Sequence, residues 1–192
     1  MEISRETILS KTHYGLNIYA HVLRHYYQGE TVLSLSGRNC KPAKNPFNAK
    51  AVYYGSQFVH KTEDKGATWK IISPDLTNNN PQQQKRDNGG LTLDASGAEF
   101  YNSILSISPS PLDENIIWVG TDDGNIQLTK DGGDSWANVK KNIKGLPQES
   151  WIARIHASEH EKGTAWIVAN NYRKGDYVPY LFKTTDFGKT WK

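Results

Sequence analysis

Three octapeptides in this chain share one pattern, Thr-x-Asp-x-Gly-x-(Ser/Thr)-Trp. They are Thr62-Glu-Asp64-Lys-Gly66-Ala-Thr68-Trp69, Thr129-Lys-Asp131-Gly-Gly133-Asp-Ser135-Trp136 and Thr184-Thr-Asp186-Phe-Gly188-Lys-Thr190-Trp191. The aspartates are 67 and then 55 residues apart. That spacing is longer than a helical repeat and suits a four-stranded unit with loops. A repeat at such a period decides the architecture before any local propensity does.

The octapeptide has the chemistry of a stapled hairpin turn. A short Asp side chain accepts hydrogen bonds from nearby backbone N–H groups and closes the turn on itself. The Gly supplies a backbone angle that a Cβ would penalise. The Thr and Ser hydroxyls join the local network, and the Trp tucks its ring under the turn. These roles account for Thr62, Asp64, Gly66, Trp69, Thr129, Asp131, Gly133, Trp136, Thr184, Asp186, Gly188 and Trp191 as structural residues, not catalytic or metal-binding ones.

Strand-like runs precede each octapeptide: residues 31–36 and 51–55 in the first unit, 103–108 and 116–120 in the second, 151–155 and 164–168 in the third. Alternation and β-branched or aromatic enrichment mark them as strands. A third strand leads into each octapeptide (58–60, 125–128, 180–182), and a fourth leaves the first two (69–72, 136–139). The expected fold is therefore all-β: a partial β-propeller of about three four-stranded antiparallel blades, spanning about 31–77, 91–145 and 150–192, with the last one incomplete. Propellers close with four to eight blades, so the chain reads as part of a longer protein, or as a unit that completes a ring by self-association. Ahead of the repeats, residues 1–30 predict a helical leader, with Ser4 as N-cap and apolar positions at Ile8, Leu9, Leu16, Tyr19, Val22, Leu23 and Tyr26.

The three octapeptides resemble the Asp-box, or bacterial neuraminidase, repeat of sialidases, xyloglucanase-type glycoside hydrolases and sortilin-type receptors. The string from Ile116 to Trp136, with 52–56, 72–77 and 182–191, is most similar to bacterial sortilin-type proteins often labelled glycosyl hydrolases. The resemblance covers residues 51–192; residues 1–50 do not share it. It implies an exported protein, secreted or periplasmic, whose function is set by loops between blades. No cofactor is expected. Within the chain itself, no secretory leader pattern is present.

Composition narrows the function. With 23 basic and 20 acidic side chains the formal charge is +3, and the basic residues are scattered, so nucleic acid is not an expected partner. No apolar stretch is long enough for a membrane-spanning helix. The single cysteine, Cys40, excludes an internal disulfide framework. His21 and His25 have a metal-capable spacing, but the glutamate of the metalloprotease pattern is missing. Asp122, Asp123 and Asn125 around Gly124 read as turn chemistry more readily than as a calcium loop. No metal is expected.

Two stretches are candidates for a ligand face: the polar insert 78–90 and the aromatic loop 170–177. In the latter, Tyr172, Arg173 and Tyr177 are placed to stack on a sugar ring or a peptide. The leading expectation is a binding scaffold for protein, peptide or carbohydrate. The alternative is a portion of a glycoside hydrolase, whose reaction needs two carboxylates flanking the scissile bond. Non-octapeptide acids are plentiful (Asp75, Asp94, Glu99, Asp113, Asp122, Asp123, Glu149, Asp176), and no pair stands out. A sialidase would need an arginine cluster, yet the matched region holds only Arg86, Arg154 and Arg173.

Overall fold

The computed structural model describes residues 40, 42–83 and 101–192. Among these residues, eleven strands form three antiparallel sheets. The first sheet contains β1 (Ala43–Lys44), β2 (Val52–Gly55), β3 (Val59–Thr62) and β4 (Lys70–Ile71). The second contains β5 (Ile104–Pro109), β6 (Ile117–Thr121), β7 (Ile126–Thr129) and β8 (Ala137–Asn138). The third contains β9 (Trp151–Ala157), β10 (Ala165–Asn171) and β11 (Asp176–Thr184). In each sheet neighbours in sequence are neighbours in space. In the third, Lys192 exchanges backbone hydrogen bonds with Lys183 (2.8 and 3.0 Å). This is the rung that Ala137 makes with Leu128 in the second sheet.

Two apolar cores lie between successive sheets. Cys40, Tyr53, Val59, Leu76, Ile104, Ile107, Ile117 and Val119 fill the first. Trp118, Ile126, Leu128, Ile152, Ile155 and Ile167 are central to the second. β6 is buried along its whole length because it serves both: Ile117 and Val119 face the first sheet, Trp118 the third. This explains why the run Ile-Ile-Trp-Val-Gly shows no polar alternation. β10 alternates, burying Ala165, Ile167 and Ala169 and leaving Val168 45% exposed.

A glycine near the end of strand two sets the spacing of the sheets. A Cβ at Gly55 would lie 2.6 Å from the Ile104 side chain, and one at Gly120 would lie 2.5 Å from that of Ile152. Each glycine is therefore a socket for the first-strand isoleucine of the next sheet. Ser106 and Ser108 reinforce the second joint by accepting the N–H groups of Ile155 (3.0 Å) and Ala157 (2.9 Å).

The helical leader and the strand expected at 31–36 lie outside the described residues. The place beside β2 is taken by β1, with Lys44 opposite Val52 as Pro109 is opposite Ile117. That strand is short and flanked by Pro42 and Pro46, so its sequence has the look of a loop. The third-sheet hairpin is longer than the 180–182 run suggests. β11 starts at Asp176, and a 3-10 turn, Tyr172–Lys174, ends on Gly175 at φ 74°. The expected loop 170–177 is thus a hairpin tip, with Tyr177 already in the strand.

Candidate functional site

Alternating strand directions put the octapeptides at one end of the three sheets and the β2–β3, β6–β7 and β10–β11 connections at the other. The two ends treat their polar side chains differently.

At the octapeptide end the three turns are near copies. Thr62 Oγ1 donates to Asp64 Oδ1 (2.9 Å), Gly66 N–H donates to Thr62 Oγ1 (2.8 Å), and Thr68 donates to the carboxylate through both its N–H and its hydroxyl (2.8 Å each). Thr129, Asp131, Gly133 and Ser135 repeat this set, as do Thr184, Asp186, Gly188 and Thr190. Donors aimed at an ionised carboxylate favour the charged form. They hold Asp64 and Asp186 down to about 2, led by Thr68 and Thr190 respectively, and Asp131 is also lowered, led by Ser135.

Each turn needs two consecutive left-handed residues, Lys65–Gly66, Gly132–Gly133 and Phe187–Gly188. The first of each pair carries no fixed identity in the repeat, so the sequence pattern hides it. The second and third turns also join sheets. A Cβ on Gly133 would lie 2.5 Å from the carbonyl oxygen of Ile72, and one on Gly188 would lie 2.9 Å from Val139. Trp136 Nε1–H donates to the oxygens of its own Gly133 and of Ile72, both at 3.1 Å. Trp191 donates to Gly188 (3.1 Å) and meets the buried Trp118 edge to face at 6.2 Å. These indoles reach the preceding sheet as well as their own turn.

At the opposite end, buried carboxylates tie separate segments together. Asp122 accepts from Asn102 N–H (2.9 Å), Ser103 N–H (2.8 Å) and the Ser103 hydroxyl (2.7 Å). Burial outweighs these donors and pushes its carboxyl up to about 6. Asp123 is raised as well, chiefly by burial. It accepts from the Thr121 hydroxyl, Asn78 N–H and Asn102 Nδ2–H. Asn125 reaches Leu76 and Asn78, so the β6–β7 turn clasps the segment leaving the first sheet. Among the described residues no group of three or more His, Cys, Asp or Glu side chains is arranged to hold a metal ion. His21 and His25 lie outside the described residues. Cys40 is buried, which pushes its thiol up to about 12.

Beyond this clasp, Gln83 bridges to Glu149 (3.0 Å), and Glu149 pairs with Lys174 (2.7 Å). Beside Lys174, the Arg173 guanidinium carbon stands 3.2 Å from the centre of the Trp151 ring. Tyr172 and Tyr101 stand edge-on to that ring, 6.3 and 6.2 Å away. The structure therefore brings Tyr172 and Arg173 together and adds Tyr101 and Trp151, which sequence spacing did not connect. Tyr177, 82% exposed, makes no ring contact with this group among the described residues.

No family model matches the chain, and no curated protein matches it. Solved structures do. The GH74 enzyme of Niastella koreensis superposes with a TM-score of 0.52 at 17% identity, over 79% of this chain and 22% of that one. An ancestral GH74 enzyme gives 0.53 at 18% identity, over 79% of this chain and 17% of that one. A chain described as YCF48 bound to D1 peptide gives 0.42 at 21% identity, over 74% of this chain and 36% of that one. This chain forms a portion of a β-propeller. Its three sheets are successive blades, it spans about a fifth of the length of the two enzymes, and at this identity the likeness concerns the fold alone. No helix among the described residues is long and apolar enough to cross a membrane.

Proposed function

We propose that this chain is part of an Asp-box β-propeller of the sortilin-like kind, acting as a non-catalytic scaffold that binds protein, peptide or carbohydrate. The ligand face is the end opposite the octapeptides. The observation that carries this reading is the cluster of Tyr101, Trp151, Tyr172 and Arg173, which gathers stacking surface and an exposed cation at one edge. The octapeptide aspartates are engaged by their own turns and belong to the frame. Binding measured with and without Arg173→Ala tests this reading, and a ligand footprint confined to the octapeptide end would refute it.

The outer face of the third blade is the surface for further blades or for a second copy. There Trp166 occupies the position that Trp118 holds in the second blade, where it is buried by the third. Val168 and Leu181 are 45% and 65% exposed beside it, and an open cleft of about 330 Å³ adjoins Trp166, lined also by His156, Ser158, Glu159 and His160. Unpartnered apolar sheet faces drive association. Light scattering on the purified chain is expected to give oligomers or polydisperse mass, and a monodisperse monomer with a cooperative melt would contradict this.

The second reading, a share of a glycoside hydrolase, is favoured by Asp122, whose carboxyl at about 6 lies in the range of a general acid. Its three donors, however, place it in the blade-to-blade clasp. Release of reducing ends from a polysaccharide, abolished by Asp122→Asn, would establish this reading and overturn the scaffold.

A further inference from the structure

We propose that Arg173 is the anchor for a carboxylate of an acidic peptide, a ligand class that rests on the scaffold reading above and narrows it. A guanidinium offers five N–H donors in one plane. Here that group is held over the Trp151 ring, with the Tyr172 and Tyr101 ring centres 5.2 and 5.7 Å from its carbon. Among the described residues, its guanidinium interacts with these three rings, and no acceptor takes its donors. Glu149, the carboxylate of the same network, is engaged by Lys174 and Gln83. A stacked but unpaired fork of donors is pre-organised for a planar, bidentate oxyanion, because the rotamer entropy of the arginine has already been surrendered to the ring.

The same contact argues against a neutral sugar on Trp151. Stacking a pyranose needs an open aromatic face, and Arg173 covers one face of that ring, so Tyr172 is the exposed ring of the cluster that a sugar would use. The charges nearby point the same way. Lys174 adjoins Arg173 in sequence, and Lys140 is close enough to Glu149 and Lys174 to interact electrostatically with both. Glu149, from the link before β9, is paired with Lys174, Asp122 and Asp123 of the β6–β7 turn are buried, and Asp176 at the start of β11 accepts from Asn171 and from the Tyr180 hydroxyl. The most exposed side chains here are Tyr172, Arg173 and Lys174, with Glu149 half-buried and already paired, and this suits a peptide carrying Asp or Glu beside an apolar or aromatic residue.

The test uses the full chain and a capped Glu-Tyr-Glu-Tyr-Glu pentapeptide, with the Gln-Tyr-Gln-Tyr-Gln analogue, oligogalacturonate and a xyloglucan oligosaccharide as comparisons. Titrations are followed by tryptophan fluorescence and by calorimetry. The acidic peptide is expected to saturate, and its affinity is expected to fall about tenfold or more in both Arg173→Ala and Arg173→Lys, since Lys keeps the charge but lacks the stacked fork. The Gln analogue is expected not to bind, and thermal melting of both variants is expected to match the parent. Equal affinity in parent and Arg173→Ala, or a preference for oligogalacturonate, would overturn the proposal. Binding of the neutral oligosaccharide alone, lost on Tyr172→Ala, would overturn the peptide anchor while leaving the scaffold standing. Failure of all four probes at millimolar concentration would remove both.

Discussion

The two ends of this molecule use the same residue type in opposite ways. At the octapeptide end, Asp64 and Asp186 sit in exposed turns, collect donors from their own loops, and are held down to about 2. At the other end, Asp122 collects as many donors from Asn102 and Ser103, yet burial carries it up to about 6. The donors of an octapeptide come from within four residues of the aspartate, whereas those of Asp122 come from 19 and 20 residues away. One end is a set of turns, copied three times, in which each aspartate takes its donors from its own octapeptide. The other is made by segments distant in sequence, and its composition is free to differ from blade to blade. A repeat protein keeps its chemistry constant where each unit needs only itself, and diversifies where units meet.

The sharpest break of that comparison is Gly133→Ala. Its φ of 118°, and an Ile72 carbonyl oxygen only 2.5 Å from where the methyl carbon would stand, leave nowhere for a side chain. A loss of roughly 3 kcal/mol or more is expected in a urea melt, against about 1 kcal/mol for Gly66→Ala, where only the backbone angle is at stake. Equal losses would show that the octapeptides do not join sheets. Asp122→Asn probes the other end. Its raised carboxyl contributes stability below the ordinary range near 4, and that contribution is lost as pH rises through about 6. Between pH 4 and pH 7 the parent is therefore expected to lose roughly 2 to 3 kcal/mol relative to the variant. Buried His60, lowered to about 4, acts in the opposite sense but is common to both proteins and cancels in the difference. Smaller still, Trp136→Phe removes the indole bonds to Ile72 and Gly133 and is expected to cost about 1 to 2 kcal/mol by the same melt. The smallest effect is a gain: Lys65→Gly relieves a left-handed residue at φ 61° and is expected to stabilise by about 0.5 kcal/mol.

Legibility followed the same division. The octapeptide turns were readable because every donor and acceptor lies within one short string, and the strands leading to them carry period-two patterns. Two things at this end were not: the first left-handed position of each pair, occupied by Lys65 and Phe187, and the reach of Trp136 and Trp191 to the preceding sheet. Neither leaves a mark within a single unit. At the opposite end, composition singled out Tyr172 and Arg173, while Trp151 read only as the start of a strand and Tyr101 as nothing in particular. Trp151 meets Tyr172 and Arg173 through the pairing of β9 with β10, which sets Trp151 opposite Asn170, and Tyr101 joins from the segment before β5. Asp122 and Asp123 were visible as turn residues, but an Asp-Asp-Gly-Asn string looks exposed, and their burial comes from Asn78, Asn102 and Ser103 folding over them.

The division of labour between the ends is tested most directly by measuring melting and pentapeptide affinity side by side in Asp131→Asn and Arg173→Ala. A double dissociation is expected. Asp131→Asn lowers the melting temperature and leaves affinity per folded molecule unchanged, whereas Arg173→Ala loses affinity and melts like the parent. If Asp131→Asn instead abolished binding at full stability, or Arg173→Ala bound as tightly as the parent, the assignment of frame to one end and recognition to the other would be contradicted.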